Sequence, residues 1–439
     1  MRSIRKIVVL GANGAMGSGS GAVFAAAGIP TVFLARTIEK AEAGRARAEQ
    51  ITKGKACAPT ITCGTYASDL GHALLDADLV FEAVSEDPEV KREVLALVDK
   101  LRRDDTIVAS VTSGLSIGGL SADLSESMRK HFLGIHMFNP PTVIKGCELI
   151  AHPGTDPGVV AVVRDFLTKV VEREVVETSD TPAFAGNRLG FKVLNEVAQL
   201  AEEHGVAFMD QLLGTYTGRA LPPLATIDLV GWDVHKAIVD NLWNLTYDTA
   251  HEQFRLPAYM QRMIDKGHLG RKTKDKGGFF RLEGKGPDAK MFVLNAKTGD
   301  YHPHAVVVPP MPAFAERMKA AIKNGNGNGY RAAMEVLCTA EGKEAEILRR
   351  VLLGYISYGM GLVGEVVERP RDIDRIMGFG FNWAPPGVLV DAIGPGRTII
   401  MLEREKLPVP TPILEAATHQ RPLFNEPSVD SSKYFVVAA

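Results

Sequence analysis

Cysteine is scarce in this sequence, with four residues in a chain of 439. The four, Cys57, Cys63, Cys147 and Cys338, have none of the spacings that bind zinc, and they are too few to build a disulfide scaffold. The sequence therefore predicts a protein of a reducing compartment, the cytoplasm, with no metal centre.

Long apolar runs and an excess of charge are also missing. No uninterrupted apolar stretch reaches about 18 residues, so no membrane-spanning helix is predicted. The formal net charge of −2 gives no reason to expect nucleic acid or an anionic membrane as a partner. The remaining composition, 46% hydrophobic and 23% charged, is typical of a globular protein with two or three domains.

Up to about residue 180, short β-branched runs alternate with helical patterns. The predicted strands are IVVL (7–10), TVFLA (31–35), DLVFEAV (78–84), TIVASV (106–111), FLGIHMF (132–138) and CELIA (147–151). Alternation at this rhythm predicts a Rossmann-type, doubly wound parallel sheet. Beyond Asp180 the segments carry helical periodicity without strand alternation, which predicts all-α domains.

An internal repeat divides the helical region. DQLLG (210–214) precedes Pro222-Pro223, Asp228 and Gly231, and DRIMG (374–378) precedes Pro385-Pro386, Asp391 and Gly394. The intervals from the second proline to the aspartate and on to the glycine are the same in both copies, so chance is the weaker explanation. We predict a dinucleotide-binding domain over 1–183 and two related helical domains over 184–300 and 301–439. The second helical domain is a degenerate copy, with NGNGNG (324–329) as a linker.

A glycine-rich loop, LGANGAMGSGSG (10–21), follows the first predicted strand and precedes a helix of small residues. In that setting glycines let the backbone approach a pyrophosphate, and the helix N-terminus supplies N–H donors. The spacing of Gly11, Gly14 and Gly17 does not fit the usual register, and a turn without a ligand is the alternative. We predict that these glycines, with Ala15 and Met16, bind the phosphates of a dinucleotide.

The second predicted strand ends without the acidic residue that holds the adenosine ribose in NAD-binding units. Ala35 occupies that position and Arg36 follows it. A planar guanidinium suits a 2′-phosphate, so the sequence predicts NAD with NADP as a possibility. A solvated Arg36 without a ligand is the alternative.

Three further stretches carry polar groups: ASVTSGLSI (109–117), GIHMFNP (134–140) and DTPAFAGNRL (180–189). With AMG (15–17), EAVSED (82–87) and GRKTKDKGGFF (270–280), they resemble the motifs of the L-3-hydroxyacyl-CoA dehydrogenases of fatty-acid β-oxidation. The resemblance covers about residues 5–282. The last third is similar to the second helical domain of the larger family members.

The chemistry of an alcohol dehydrogenation points to His136 and Glu148. A proton must leave the alcohol oxygen, and histidine suits this because its ordinary pKa is about 6.5. A carboxylate bonded to the other ring nitrogen would fix the tautomer. His136 ends one strand and Glu148 lies on the next apolar segment, so they could face each other; the resemblance implies the same pair. A core histidine bonded to the backbone is the alternative.

The resemblance implies further site residues. Ser113 and Asn187 match positions that hydrogen-bond the substrate near the reacting carbon, and Ser113 also stands among the predicted cofactor contacts. Asn139 matches the asparagine near the nicotinamide, and Glu86 and Lys91 match other cofactor-contacting positions. Glu86 and Lys91 could instead form an ordinary surface pair.

Two basic segments remain. Lys272 matches a further cofactor-contacting position, although its run, GRKTKDK, could be a solvated face or could meet phosphates of a bound ligand. His302 and His304 suggest a metal site only faintly, because no carboxylate or cysteine cluster joins them.

The sequence departs from the family pattern at several positions. Val111, Gly114 and Ala183 replace the usual asparagine, serine and glycine, and Gly146-Cys147 stands where two aliphatic residues are usual before the glutamate. LPPLATIDLVG (221–231) also departs from the usual motif of the first helical domain. None of these changes removes a proposed catalytic group, but together they predict a reshaped acyl pocket.

We therefore predict an oxidoreductase that interconverts an L-3-hydroxyacyl-CoA and a 3-oxoacyl-CoA with a nicotinamide cofactor. The alternatives are a dehydrogenase of a small hydroxy acid or a carnitine-like compound, and a non-catalytic subunit of a complex. The predicted partner is an acyl-CoA thioester. A second helical domain could substitute internally for a dimer partner, which predicts a monomer or a looser homodimer.

Overall fold

The computed structural model describes residues 3–54, 60–284 and 288–437. The chain forms two compact units, Met1–Phe184 together with Phe379–Phe381, and Ala185–Gly378 together with Asn382–Ala439. The division of the helical part into two domains stays a prediction. Cys57 lies outside the described residues, whereas Cys63, Cys147 and Cys338 are free thiols.

The first unit alternates strands with helices. Its strands are β1 (Ile7–Leu10), β2 (Thr31–Ala35), β3 (Ile61–Thr65), β4 (Leu79–Glu82), β5 (Ile107–Ser110), β6 (Phe132–Met137), β7 (Gly146–Ile150) and β8 (Glu174–Thr178). Its helices are α1 (Ala15–Ala26), α2 (Ile38–Ile51), α3 (Tyr66–Leu74), α4 (Pro88–Leu101), α5 (Ile117–Ser121), α6 (Glu126–Lys130) and α7 (Pro157–Lys169). Strands β1, β4 and β5 are buried along their whole length, which is why they read as continuous apolar runs.

One eight-stranded sheet joins these strands in the order β3-β2-β1-β4-β5-β6-β7-β8. Neighbours from β3 to β6 pair in parallel, and β6 pairs with β7 antiparallel. The strand order reverses beside β1, so the carboxyl ends of β1 and β4 form the crevice where such sheets bind ligands. The predicted Rossmann-type sheet is confirmed, but the antiparallel direction of β7 is not what the sequence predicted.

The second unit is mainly helical. Its helices are α8 (Gly186–His204), α9 (Val206–Leu212), α10 (Pro223–Val230), α11 (Trp232–Leu245), α12 (Ala258–Asp265), α13 (His304–Val307), α14 (Ala313–Asn324), α15 (Gly329–Thr339), α16 (Lys343–Gly361), α17 (Pro370–Ile376), α18 (Pro386–Ile393), α19 (Pro395–Arg404) and α20 (Thr411–Thr418). Short 3₁₀ helices cover Thr215–Thr217, His251–Phe254, Gly270–Lys272 and Ser431–Tyr434, and a π-helix covers Met377–Phe381. None of the helices in the described part of the chain is long and apolar enough to cross a membrane.

A small antiparallel sheet interrupts the helices of the second unit, which the helical periodicity did not predict. It consists of β9 (Phe280–Glu283), β10 (Lys290–Leu294) and β11 (Tyr301–Pro303) in the order β11-β10-β9. The segment NGNGNG is also not a boundary, because it joins α14 to α15 and these two helices pack against each other. Gly325 and Gly329 make that tight turn possible, since a Cβ on Gly325 would overlap the Gly329 backbone.

The predicted repeat is confirmed as two copies of one hydrogen-bonded arrangement. Asp210 accepts from the Leu224 N–H at 2.7 Å, and Asp374 accepts from the Gly387 N–H at 2.8 Å. Both donors follow a proline pair. Each pair begins an eight-residue helix, α10 or α18, which ends at a glycine with φ near 100°.

The second aspartate of each copy binds two successive backbone amides. Asp228 accepts from the N–H groups of Phe279 and Phe280 at 2.9 and 2.8 Å. Asp391 accepts in the same way from Leu423 and Phe424, at 2.8 and 3.1 Å. The two copies therefore share a scaffold in which carboxylates hold a returning chain segment against a short helix.

Candidate active site

A buried histidine and a buried glutamate face each other across β6 and β7. The antiparallel register places His136 directly opposite Glu148, and His136 Nδ1 lies 2.6 Å from Glu148 Oε2. The two side chains are 5% and 0% exposed. A carboxylate can only accept, so Nδ1 carries the proton and donates it, which leaves Nε2 to exchange a proton with a ligand.

Aromatic rings enclose the His136 imidazole. Phe138 meets it edge to face with ring centroids 4.8 Å apart, and the Phe184 ring is tilted at 5.6 Å. These contacts limit the orientations of the imidazole and keep water from its faces. The sequence argument did not assign a role to either phenylalanine, although both lie inside the quoted motifs.

The backbone beside Phe184 explains one departure from the family pattern. Ala183 and Phe184 have φ values of +58° and +54°, in the left-handed region. Glycine adopts that conformation freely, whereas an alanine is strained by about 1 kcal/mol there. The usual glycine before this phenylalanine therefore has a conformational reason, and Ala183 retains the turn at some cost.

The glycine loop has the shape of a phosphate cradle. Gly11 has φ +75°, and a Cβ on it would overlap the carbonyl of Ala83. A Cβ on Gly17 would overlap the Gly11 carbonyl, so this glycine lets α1 pack close to the loop. Gly14 is the N-cap of α1 without a side-chain cap, so the helix presents its first N–H groups, among them those of Ala15 and Met16, at the end of β1.

A tyrosine that the sequence argument missed supports the same loop. The hydroxyl of Tyr66, the first residue of α3, accepts from the Gly11 N–H at 2.7 Å. Burial raises the pKa of this hydroxyl above its ordinary value. Arg36 follows directly on β2 with an exposed side chain, at the edge where the ribose acid of NAD-binding units would stand.

A charged network lies at the carboxyl ends of β4 and β5, under the glycine loop. Lys91 Nζ donates to Glu82 Oε1 at 2.8 Å and lies 3.3 Å from Glu86 Oε2. Both Lys91 and Glu82 are 0% exposed, so the alternative of an ordinary surface pair is wrong for Lys91. Ser110 Oγ donates to the other oxygen of Glu82 at 2.6 Å. The sequence held one signal for Glu82, an acidic residue that ends an otherwise apolar strand.

Glu86 links this network to the segment that contains Ser113. Glu86 Oε1 accepts from the Ser113 N–H at 2.8 Å and from the hydroxyl of Thr112. Asn139 is exposed and directly follows Phe138 beyond β6. The first unit thus brings Glu86, Lys91 and Ser113 into one cluster.

The remaining predicted residues belong to the second unit. Asn187 is buried in the first turn of α8. Lys272 ends the 3₁₀ turn Gly270–Lys272, and its ammonium forms a 2.7 Å ion pair with Asp233, with both side chains nearly half exposed. Among the described residues, no group of three histidines, cysteines, aspartates or glutamates could hold a metal ion. His302 lies in β11 and His304 begins α13.

Two family models match consecutive parts of the chain. Residues 6–181 match the 3-hydroxyacyl-CoA dehydrogenase NAD binding domain, and residues 184–279 match the C-terminal domain of the same family. The second helical copy lies beyond the matched residues.

Similar proteins include enzymes of two substrate types. A probable 3-hydroxyacyl-CoA dehydrogenase of Bacillus subtilis is 30% identical over 92% of this chain, which spans 53% of that relative. A 3-hydroxybutyryl-CoA dehydrogenase of Clostridioides difficile is 32% identical over 61% of this chain and 97% of its own. A 5-formyl-3-hydroxy-2-methylpyridine 4-carboxylate 5-dehydrogenase of Mesorhizobium japonicum is 35% identical over 54% of this chain and 79% of its own.

One solved structure shares the whole architecture. The crystal structure of an Escherichia coli 3-hydroxybutyryl-CoA dehydrogenase superposes with a TM-score of 0.67, covering 95% of this chain and 99% of that one at 20% identity. At that identity the likeness shows the fold alone. The chain also spans only about half the length of the first of the relatives above.

Proposed function

Because the chain belongs to the 3-hydroxyacyl-CoA dehydrogenase family, we propose that it interconverts an L-3-hydroxyacyl-CoA and a 3-oxoacyl-CoA, with His136 as general base and acid. The observation that supports this reaction best is the buried pair of His136 and Glu148, joined at 2.6 Å. A histidine oriented by a carboxylate can take the hydroxyl proton at Nε2 during oxidation and return it during reduction.

The pair has a defined task in each direction. When Nε2 takes a proton, the ring becomes a cation, and the Glu148 carboxylate on Nδ1 stabilises that charge. The closeness of Phe138 and Phe184 excludes water, which strengthens the interaction between the two groups. A bound nicotinamide would supply the hydride acceptor or donor.

Further residues complete the proposed site. The resemblance assigns Ser113 and Asn187 to the thioester substrate, and Asn139, Glu86, Lys91 and Lys272 to the cofactor. Hydrogen-bond donors near the reacting oxygen would stabilise the charge that develops on it during reduction.

The cofactor is a nicotinamide dinucleotide, and we propose that Arg36 lets the enzyme accept NADP. The loop of Gly11, Gly14 and Gly17 fits a pyrophosphate because two of these positions exclude any side chain and the helix N-terminus behind them is uncapped. Arg36 is exposed where a carboxylate would otherwise repel a 2′-phosphate.

Replacement of Arg36 tests the cofactor proposal. A charge-assisted hydrogen bond contributes about 1.5–3 kcal/mol, so Arg36→Asp should raise the KM for NADPH about ten- to a hundredfold. The KM for NADH should change little. Arg45→Asp, a charge reversal in the same helix, is the matched control and should change neither value. A parallel rise for both cofactors in Arg36→Asp would contradict the proposal.

Acetoacetyl-CoA tests the reaction itself. The protein should oxidise NADH or NADPH in its presence, and His136→Gln should abolish most of that turnover. If the wild-type chain fails with both cofactors, the thioester assignment is wrong.

The second candidate is a dehydrogenase of a small carboxylated substrate without CoA. It is favoured by the 35% identity to the pyridine carboxylate dehydrogenase. Turnover of hydroxy acids in the same assay, without turnover of the thioester, would support it. Light scattering would show whether the protein is a monomer or a homodimer.

A further inference from the structure

A three-residue segment far along the chain belongs to the first unit. Phe379–Phe381 forms the end of the π-helix Met377–Phe381, yet it packs with the unit that contains the sheet and His136. The residue that follows, Asn382, has φ +53°, which turns the chain sharply away. We call Phe379, Gly380 and Phe381 the 379–381 segment.

Gly146 in β7 makes room for this segment. A Cβ on Gly146 would lie 2.6 Å from the Gly380 nitrogen and 2.8 Å from both the Gly380 Cα and the Phe379 carbonyl carbon. These are backbone atoms, which cannot move aside as a flexible side chain can. An aliphatic residue at this position, usual in the family, is therefore incompatible with the observed path of the 379–381 segment.

The same segment packs on Phe138. The rings of Phe138 and Phe381 meet edge to face with centroids 5.7 Å apart. A Cβ on Gly380 would lie 3.0 Å from the Phe138 ring, so this glycine also permits a close approach. Phe138 in turn contacts the His136 ring at 4.8 Å, which makes Phe381 the next ring in a row of three.

The contacts flank the catalytic pair on both strands. Phe138 follows His136 by two residues beyond β6, and Gly146 precedes Glu148 by two residues in β7. The Nδ1–Oε2 hydrogen bond fixes one point of the imidazole, but rotation about that bond would still move Nε2. A ring held against the imidazole edge limits this rotation.

We propose that Phe381 is a positioning residue of the dehydrogenase reaction, which acts through Phe138 on the orientation of His136. The inference rests on the proposed function of His136, and it extends the active site to a residue of the second helical copy. The absence of a side chain at Gly146 is the matching adaptation.

Two measurements test the role of Phe381. Phe381→Ala should lower kcat with acetoacetyl-CoA about ten- to a hundredfold, because small misplacements of a catalytic group cost that much. The KM for the thioester should change far less. The carbon-bound ring protons of His136, assigned with His136→Gln, should also shift in the NMR spectrum as the Phe138 ring moves. Phe381→Tyr keeps the ring and should restore both values.

Matched variants separate positioning from general stability. Phe208→Ala removes another half-buried phenylalanine, in α9 of the second unit, and should leave kcat and the His136 signals unchanged. Gly146→Ala should act in the same direction as Phe381→Ala, since the added methyl group displaces the segment. Phe381→Leu keeps the bulk without the ring and answers the question if the alanine variant fails to fold.

The outcomes are distinct. An unchanged kcat and unchanged His136 signals in Phe381→Ala, or in Phe381→Leu, overturn the proposal. A fall in kcat that Phe208→Ala reproduces overturns it as well. If the wild-type protein does not reduce acetoacetyl-CoA, the proposed function fails, but the His136 signals still decide whether Phe381 positions the imidazole.

Discussion

In the first unit the buried His136 faces the carboxylate of Glu148, whereas in the second unit the buried His235 faces the side-chain amide of Asn195. The His235 Nε2 lies 3.0 Å from Asn195 Oδ1, and burial lowers the pKa of this imidazole to about 3. His235 therefore stays neutral and serves packing. His136 has a partner that can stabilise its cationic form, which is the requirement for moving a proton.

Buried carboxylates differ between the units in the same way. In the first unit Glu82 binds the ammonium of Lys91, so two charges are paired side chain to side chain. In the second unit Asp210, Asp228, Asp374 and Asp391 bind backbone N–H groups, in two matching copies. The comparison separates titratable groups that face each other, as chemistry requires, from those that hold chain segments together.

The largest expected difference concerns the two histidines. Glu148→Gln should lower kcat with acetoacetyl-CoA about a hundred- to ten-thousandfold, because the imidazolium loses its carboxylate. His235→Gln should leave kcat unchanged and lower the melting temperature. Steady-state kinetics with thermal unfolding of both variants gives the answer, and a similar loss of kcat in both would erase the distinction.

The buried ion pair of the first unit should show the next largest effect. Lys91→Met alone leaves Glu82 buried and unpaired, which should lower the free energy of unfolding by about 3–5 kcal/mol. The double variant Glu82→Leu with Lys91→Met should regain much of that loss. Urea denaturation measures both, and additive losses would contradict the assignment of a coupled pair.

The two copies of the repeat allow a smaller and matched comparison. Asp228 accepts a third hydrogen bond from Trp232 Nε1 at 2.7 Å, whereas Pro395 stands at the corresponding place after Gly394. Asp228→Asn should therefore lower the free energy of unfolding by about 1–3 kcal/mol, and Asp391→Asn by less. Urea denaturation of the two variants checks this order.

The pH dependence of stability should carry the smallest contrast. Burial raises the pKa of Asp228 from 3.8 to about 6, so the folded protein holds this proton after the unfolded chain has lost it. The stabilisation is complete below about pH 4 and is lost as the pH rises through 6, a change of about 3 kcal/mol. Burial also raises the pKa of Asp210, to about 7, which extends the same trend.

Asp228→Asn should flatten this part of the curve. The free energy of unfolding, measured by urea denaturation at several values between pH 4 and 7, should then fall less steeply than in the wild type. An unchanged slope would show that Asp228 ionises alike in the folded and unfolded chain.

The sequence predicted the central strands of the sheet almost to the residue. IVVL and TVFLA coincide with β1 and β2, because strands buried on both faces need continuous apolar side chains. The edge strands β3 and β8 were missed, since ITCGT and EVVET are partly exposed and carry no such pattern. The small sheet β9–β11 was missed for the same reason.

The candidate site was predicted in part. His136 and Glu148 stood out by motif and chemistry, and the glycine loop by its position after a strand. The burial of Lys91 and the roles of Glu82, Tyr66 and Phe184 depend on partners 9 to 55 residues away in sequence, or on aromatic packing. No local period reports such contacts.

The sequence by itself determined the sheet-and-helix order, the dinucleotide loop, the duplicated helical scaffold and the residues with the chemistry of a dehydrogenase. These follow from side-chain periodicity and from glycine and proline positions, which act locally. Only the tertiary structure decided that β7 runs antiparallel to β6, which puts Glu148 opposite His136. It also decided that Gly146 must lack a side chain, because the backbone that fills the space arrives from more than two hundred residues away.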